Sequence, residues 1–173
     1  MHHLKSALGG NELTVVRYDQ IASVEKQKYD KIIISGGDVF NVIRPSEKCL
    51  REIDFIMNSR KPLLGICLGF ELICKAYGAD IIRMGDVVQG LIPIRKTGNH
   101  NLLERSPETF KAYESHKHSV KRVGDDLLAL AESEYGIEAI RHKSKHTYGV
   151  QFHPEVLLQS PATNVLENFL KYG

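Results

Sequence analysis

Gly65-Ile66-Cys67-Leu68-Gly69 places a cysteine between two glycines, where an apolar run, Leu63-Leu64, leads in and a helix-like run, Phe70 to Cys74, leads out. A strand feeding a helix through so short a turn is the setting in which a nucleophile sits on a tight elbow. The glycines remove side chains where two backbones must crowd together. The thiol then lies near the positive end of the following helix, which favours a thiolate. Far along the chain, Gln151-Phe152-His153-Pro154-Glu155 sets a histidine two residues before a carboxylate. In extended geometry both side chains fall on one side, and Pro154 ends any strand ladder. A carboxylate beside an imidazole fixes its tautomer and stabilises the imidazolium formed when the ring takes a proton. Cys67, His153 and Glu155 together make a nucleophile, base and orienting acid for acyl transfer.

Such a reaction also needs donors for the developing oxyanion. The Leu68 N–H directly after the nucleophile is one candidate. The glycine turn Ser35-Gly36-Gly37 offers a second through the Gly37 N–H, with Gly36 free to approach a substrate. Each donor of this kind is typically worth about 3 kcal/mol of transition-state stabilisation.

The elements around these residues alternate between strand-like and helix-like. Met1–Leu8 reads as the end of a helix stopped by Gly9-Gly10, Leu13–Tyr18 as a strand, and Tyr29–Gly37 as a stronger, β-branched strand. Glu47–Arg60 carries apolar residues at helical spacing, with Ser46 as its N-cap. After the helix that ends at Gly78, the runs DIIRMG, LIPIRK, FKAYES, LLALAES, IEAIRHK and YGVQFH look like successive strands joined by turns, and the chain closes on a helix through Val165, Leu166, Phe169 and Leu170. This order implies a layered α/β fold, in which ligands bind at the carboxyl ends of the strands.

The bulk numbers exclude several classes. At 173 residues with 42% hydrophobic and 25% charged content, the chain is sized for one globular domain, residues 1–173. A net charge of +2 gives no strong field toward nucleic acid or a membrane surface. The basic cluster Arg141–His146 reads as a solvated hairpin turn. No apolar run is long enough to span a bilayer and the N-terminus lacks a secretory pattern, so the expected setting is the cytoplasm. Cys49, Cys67 and Cys74 have neither zinc-site nor disulfide spacing. Core packing is the default for Cys49 and Cys74, and no metal or cofactor is implied.

The segments S-G-G, G-I-C-L-G and Y-G-V-Q-F-H-P-E together resemble the signatures of the class I (triad) glutamine amidotransferases, from about Gly9 to the C-terminus. The resemblance implies a three-layer α/β/α sandwich with a mostly parallel central sheet. It implies hydrolysis of L-glutamine through a γ-glutamyl thioester on Cys67, with the ammonia passed to an ATP-dependent synthetase. Glu114–Val120 is similar to the family's loop that grips the substrate's α-amino and α-carboxylate groups, which assigns substrate binding to Lys117 and His118. This loop and the last signature are most similar to the glutaminase subunit of two-subunit GMP synthases, whose partner aminates xanthosine monophosphate.

Three departures from the family pattern stand out. Glu71 replaces a glutamine that helps bind substrate, and is reminiscent instead of γ-glutamyl hydrolases. His118 replaces an aspartate, and Asp38 a proline. The family's first strand is absent, because this chain begins inside the helix that follows it. A stand-alone γ-glutamyl hydrolase or peptidase, or a truncated non-catalytic relative, are the alternative readings.

Overall fold

Two short apolar runs set the sheet. In a computed structural model describing residues 2–37, 41–157 and 160–173, β1 (Ile32–Ile34) and β2 (Leu63–Ile66) pair in parallel. Asp38 therefore lies outside the described residues. Every residue of β2 is buried, as suits an unbroken apolar strand with both faces covered. β7 (Thr147–Val150) runs parallel along the other edge of β2.

The remaining strands are β3 (Asp80–Lys96), β4 (Thr109–Arg122), β5 (Leu127–Glu132) and β6 (Ile137–His142). They join through antiparallel pairings into a seven-stranded sheet of order β1-β2-β7-β6-β5-β3-β4. Parallel pairing is thus confined to β1–β2–β7, and the expectation of a mostly parallel sheet holds only for that part. The reason is in the connections. The turns at 133–136 and 143–146 are hairpins, whereas a parallel pair needs a crossover of about a dozen residues. The basic cluster Arg141–His146 does form the β6–β7 hairpin.

Period-two alternation divides β2 between two cores. Leu64 and Ile66 pack with Leu4 and Leu8 of α1 (His2–Ala7) and its end, and with Val165 and Phe169 of α4 (Asn164–Tyr172). Leu63 packs on the opposite face with Cys49 and Ile56 of α2 (Glu47–Met57) and Phe70 and Ile73 of α3 (Leu68–Ala76). The result is the expected three-layer α/β/α sandwich. Ser46 caps α2, its hydroxyl accepting from the Cys49 N–H at 3.4 Å.

Three local expectations need correction. DIIRMG and LIPIRK are one strand, β3, with register shifts at Asp80/Ile81 and between Arg83 and Val88. Glu114–Val120, expected as a loop, lies within β4. Leu13–Arg17 forms no strand, and a 3₁₀ turn covers Tyr18–Ser23. A strand needs a neighbour for its backbone groups, and among the described residues none lies beside this segment. Leu13, Val15 and Val16 stay 43%, 48% and 38% exposed. A groove of about 910 Å³ separates the segment from β1, which ends the sheet, with Leu8, Ile33 and Phe169 also on its walls.

Candidate active site

The carboxyl ends of the three parallel strands converge, and each leads into one of the three signature segments. Ile34 of β1 leads into Ser35-Gly36-Gly37, Ile66 of β2 into Cys67, and Val150 of β7 into Gln151–Glu155. The Cys67 N–H donates to the Val150 carbonyl at 2.9 Å, so the ladder runs up to Cys67 itself.

Cys67 turns the chain from strand to helix at φ 52°, ψ −105°. A positive φ is costly for a residue with a Cβ, and it marks a site where surrounding structure imposes the conformation. The flanking glycines are required by close approach. A Cβ on Gly65 would stand 2.4 Å from the Gly69 carbonyl carbon, and one on Gly69 would stand 2.2 Å from the Ile34 carbonyl oxygen. The elbow can form only because neither residue carries a side chain.

His153 and Cys67 both lie against Gly36. On the other side of the ring, His153 Nδ1 lies 2.9 Å from Glu155 Oε1. Burial would lower the pKa of His153, but hydrogen bonds to Cys67 and Glu155 and their negative charges outweigh it and push it up to about 10. The ring therefore keeps its proton at neutral pH. The Glu155 Oε2 atom is buried without a hydrogen-bond partner among the described residues. Cys49 and Cys74 differ from Cys67 in kind. Both are fully buried, and burial raises their pKa, keeping the thiols protonated.

Gly36 fits between His153 and Cys67. A Cβ there would stand 3.1 Å from His153 Cε1 and 3.3 Å from Cys67 Cβ. Gly37 lies beside Leu68, whose Cδ2 would be 3.7 Å from an added Cβ. The two expected oxyanion donors thus belong to neighbouring stretches of backbone.

Glu71, in the first turn of α3, is 3% exposed. Its Oε2 lies 3.0 Å from His118 Nδ1, and its Oε1 accepts from Gln151 Nε2 at 3.4 Å. The carboxylate is committed to protein partners rather than presented to a ligand. His118 is half-buried and Lys117 exposed, as alternation along β4 requires.

β4 contributes residues that the sequence did not single out. The Tyr113 carbonyl accepts the His153 N–H at 2.8 Å, and the Tyr113 ring packs edge-on against the imidazole at 6.3 Å. The Ser115 carbonyl oxygen is 3.8 Å from Cys67 Sγ. Behind them, Glu114, His116 and Glu138 form a buried cluster. The only sequence signal was the Glu-x-His alternation, and a glutamate set in the apolar run Ile137–Ile140.

The family model for class-I glutamine amidotransferases matches residues 2–172. One chain of the glutamine-hydrolyzing GMP synthase of Methanocaldococcus jannaschii, named as a subunit of that enzyme, is 35% identical over 173 residues, covering 99% of this chain and 89% of that protein. The protein of the same name from Methanococcus vannielii is 38% identical over 159 residues, covering 91% and 81%. Among solved structures, a putative GMP synthase chain from Thermoplasma acidophilum superposes with a TM-score of 0.87 at 25% identity, covering 98% of this chain and 86% of that one. A fold with the signature segments at its parallel strand ends, matched along almost its whole length, makes this chain a member of the class I glutamine amidotransferases.

Proposed function

We propose that this chain is the glutamine-hydrolysing subunit of a two-subunit GMP synthase, with Cys67, His153 and Glu155 as its catalytic triad. The observation that carries the reading is His153 held between Cys67 and Glu155 at the end of the parallel strands. Cys67 Sγ attacks the side-chain amide carbon of L-glutamine, and the carbonyl oxygen takes the negative charge. The Leu68 and Gly37 N–H groups receive that oxyanion. His153 gives its proton to the departing nitrogen, releasing ammonia and leaving a γ-glutamyl thioester. The ring, now neutral, takes a proton from water, which attacks the thioester and releases glutamate. Glu155 holds the ring in the orientation both steps need. Gly36 leaves room for the substrate beside the triad, and Lys117 and His118 bind its α-amino and α-carboxylate groups in this reading.

The names of the archaeal relatives support a synthetase partner that receives the ammonia. Glu71, the residue reminiscent of γ-glutamyl hydrolases, is buried against His118 and Gln151 and presents no carboxylate to a γ-glutamyl substrate in this reading.

The deciding experiment mixes the chain with the synthetase partner, ATP and xanthosine monophosphate. Glutamine should support GMP formation, and Cys67→Ala should abolish glutamine-supported but not ammonia-supported synthesis. GMP formation from ammonia but never from glutamine, with the wild-type chain present, would overturn the proposal.

A further inference from the structure

A second group of titratable side chains lies beneath the candidate site. Glu114 and His116 occupy the buried face of β4 where it packs over β6, and Glu138 lies on β6. Their exposures are 0%, 5% and 1%. One nitrogen or oxygen from each falls within 4.8 Å of the others. His116 Nε2 is 2.6 Å from Glu114 Oε2, and His116 Nδ1 is 2.6 Å from the His118 carbonyl oxygen. The Ser133 hydroxyl donates to Glu138 Oε1 at 2.6 Å. Glu114 Oε1 and Glu138 Oε2 are buried and meet no hydrogen-bond partner among the described residues.

Three such groups could share protons or bind a metal ion, and distance separates the two. Around a tetrahedral zinc with bonds of about 2.0–2.2 Å, adjacent ligand atoms sit roughly 3.3 Å apart. The 2.6 Å between His116 and Glu114 is instead the length of a strong, charge-assisted hydrogen bond. A carbonyl only accepts, so His116 Nδ1 carries a hydrogen toward His118. One further proton lies between His116 Nε2 and Glu114. A Glu138 carboxyl oxygen lies within 4.8 Å of one from Glu114, and each residue still has an unfilled oxygen. A proton shared between the two carboxyls answers that deficit. Burial first, and then the charge of Glu114, raise Glu138 well above the usual carboxyl range, while Lys121 on β4 opposes them. Two shared protons balance two carboxylates and one imidazole to zero net charge, the state that a sealed interior favours.

We propose that Glu114, His116 and Glu138 form a neutral, proton-sharing network that positions β4 across the active cysteine. His116 fixes the His118 carbonyl, and with it the stretch from Tyr113 to His118. That stretch places the Ser115 carbonyl near Cys67 and the Tyr113 carbonyl on the His153 N–H. None of the three touches the nucleophile, so each is a positioning residue. Its effect on turnover rests on the glutaminase reading, whereas the protonation of Glu138 can be observed without turnover.

The test uses the intact chain as wild type, Glu138→Gln and Glu138→Ala. Infrared difference spectra at neutral pH, wild type minus Glu138→Gln so that the Glu52 band cancels, should show a protonated-carboxyl stretch in the wild type. Glutamine hydrolysis should fall roughly tenfold or more in Glu138→Ala, as strand placement is lost. Glu138→Gln, a neutral isostere of the protonated acid, should stay within about threefold of wild type. Glu138→Gln alone carries the test if the alanine variant fails to fold. Absence of the wild-type band would overturn the network, as would Glu138→Gln as inactive as Glu138→Ala. Stoichiometric zinc or manganese in the purified protein, lost in Glu138→Gln, would replace it with a metal site.

Discussion

Glu71 and His118 hold each other, Oε2 to Nδ1 at 3.0 Å, one from the first turn of α3 and the other from β4. Each is a departure from the family pattern, which has an amide at the first position and a carboxylate at the second. Together they preserve one donor and one acceptor with the roles exchanged. A side chain 4% exposed on the glutamate side makes the contact costly to break.

The pair predicts strong coupling in a double-mutant cycle. His118→Asp alone sets two carboxylates together in a buried site and should lower kcat/KM for glutamine about tenfold or more. Adding Glu71→Gln restores a donor and should recover most of the loss. The coupling should amount to roughly 1–3 kcal/mol. Additive losses from steady-state kinetics on the two single variants and the double would show that the residues act separately.

The pKa of His153 is a second prediction. Folding raises it from 6.5 to about 10, so the bound proton stabilises the fold fully below about 6.5, and that contribution is lost as pH rises through 10. Cys67→Ala or Glu155→Gln removes one of the two groups that raise it and should lower the value by about 1–3 units. Imidazole NMR titration of the three proteins reads the shift directly, and an unchanged His153 in both variants would contradict the charge arrangement.

Gly69→Ala should be among the most damaging small substitutions. Its Cβ would stand 2.2 Å from the Ile34 carbonyl oxygen, which is backbone and cannot rotate away. Separating α3 from β1 should cost about 3 kcal/mol or more and displace Cys67 from His153. Stability in chemical denaturation and the glutaminase rate should fall together.

Glu52 is a stability lever away from the triad. Burial raises its carboxyl to about 7, so stability is lost as pH rises from the unfolded value of 4.5 through 7. Glu52→Gln should therefore stabilise the protein at about pH 8 by roughly 1–3 kcal/mol, with Tm higher by several degrees. At about pH 5 the two melting curves should nearly coincide.

The elbow was legible in the sequence because its determinants are local: an apolar strand, two glycines and a helix start within a few residues of Cys67. Glu155 was legible for the same reason, standing two residues from His153. The Glu71–His118 contact and the cluster of Glu114, His116 and Glu138 were not, because they depend on the path of β4. That path is set by non-local pairing with β3 and a register break between Arg83 and Val88. Leu13–Tyr18 failed for the opposite reason. Its composition suits a strand, but propensity cannot supply the neighbour a strand requires. The mixed sheet follows from the short connections at 133–136 and 143–146, which only antiparallel pairing can close.

The most direct measurement is the site of covalent capture by a glutamine-mimicking electrophile such as 6-diazo-5-oxo-L-norleucine, followed by intact mass and peptide mapping. The account predicts one adduct per chain on Cys67, slowed by added L-glutamine and by His153→Ala and absent in Cys67→Ala. Labelling of Cys49 or Cys74 with Cys67 untouched, in a chain that hydrolyses glutamine, would contradict it.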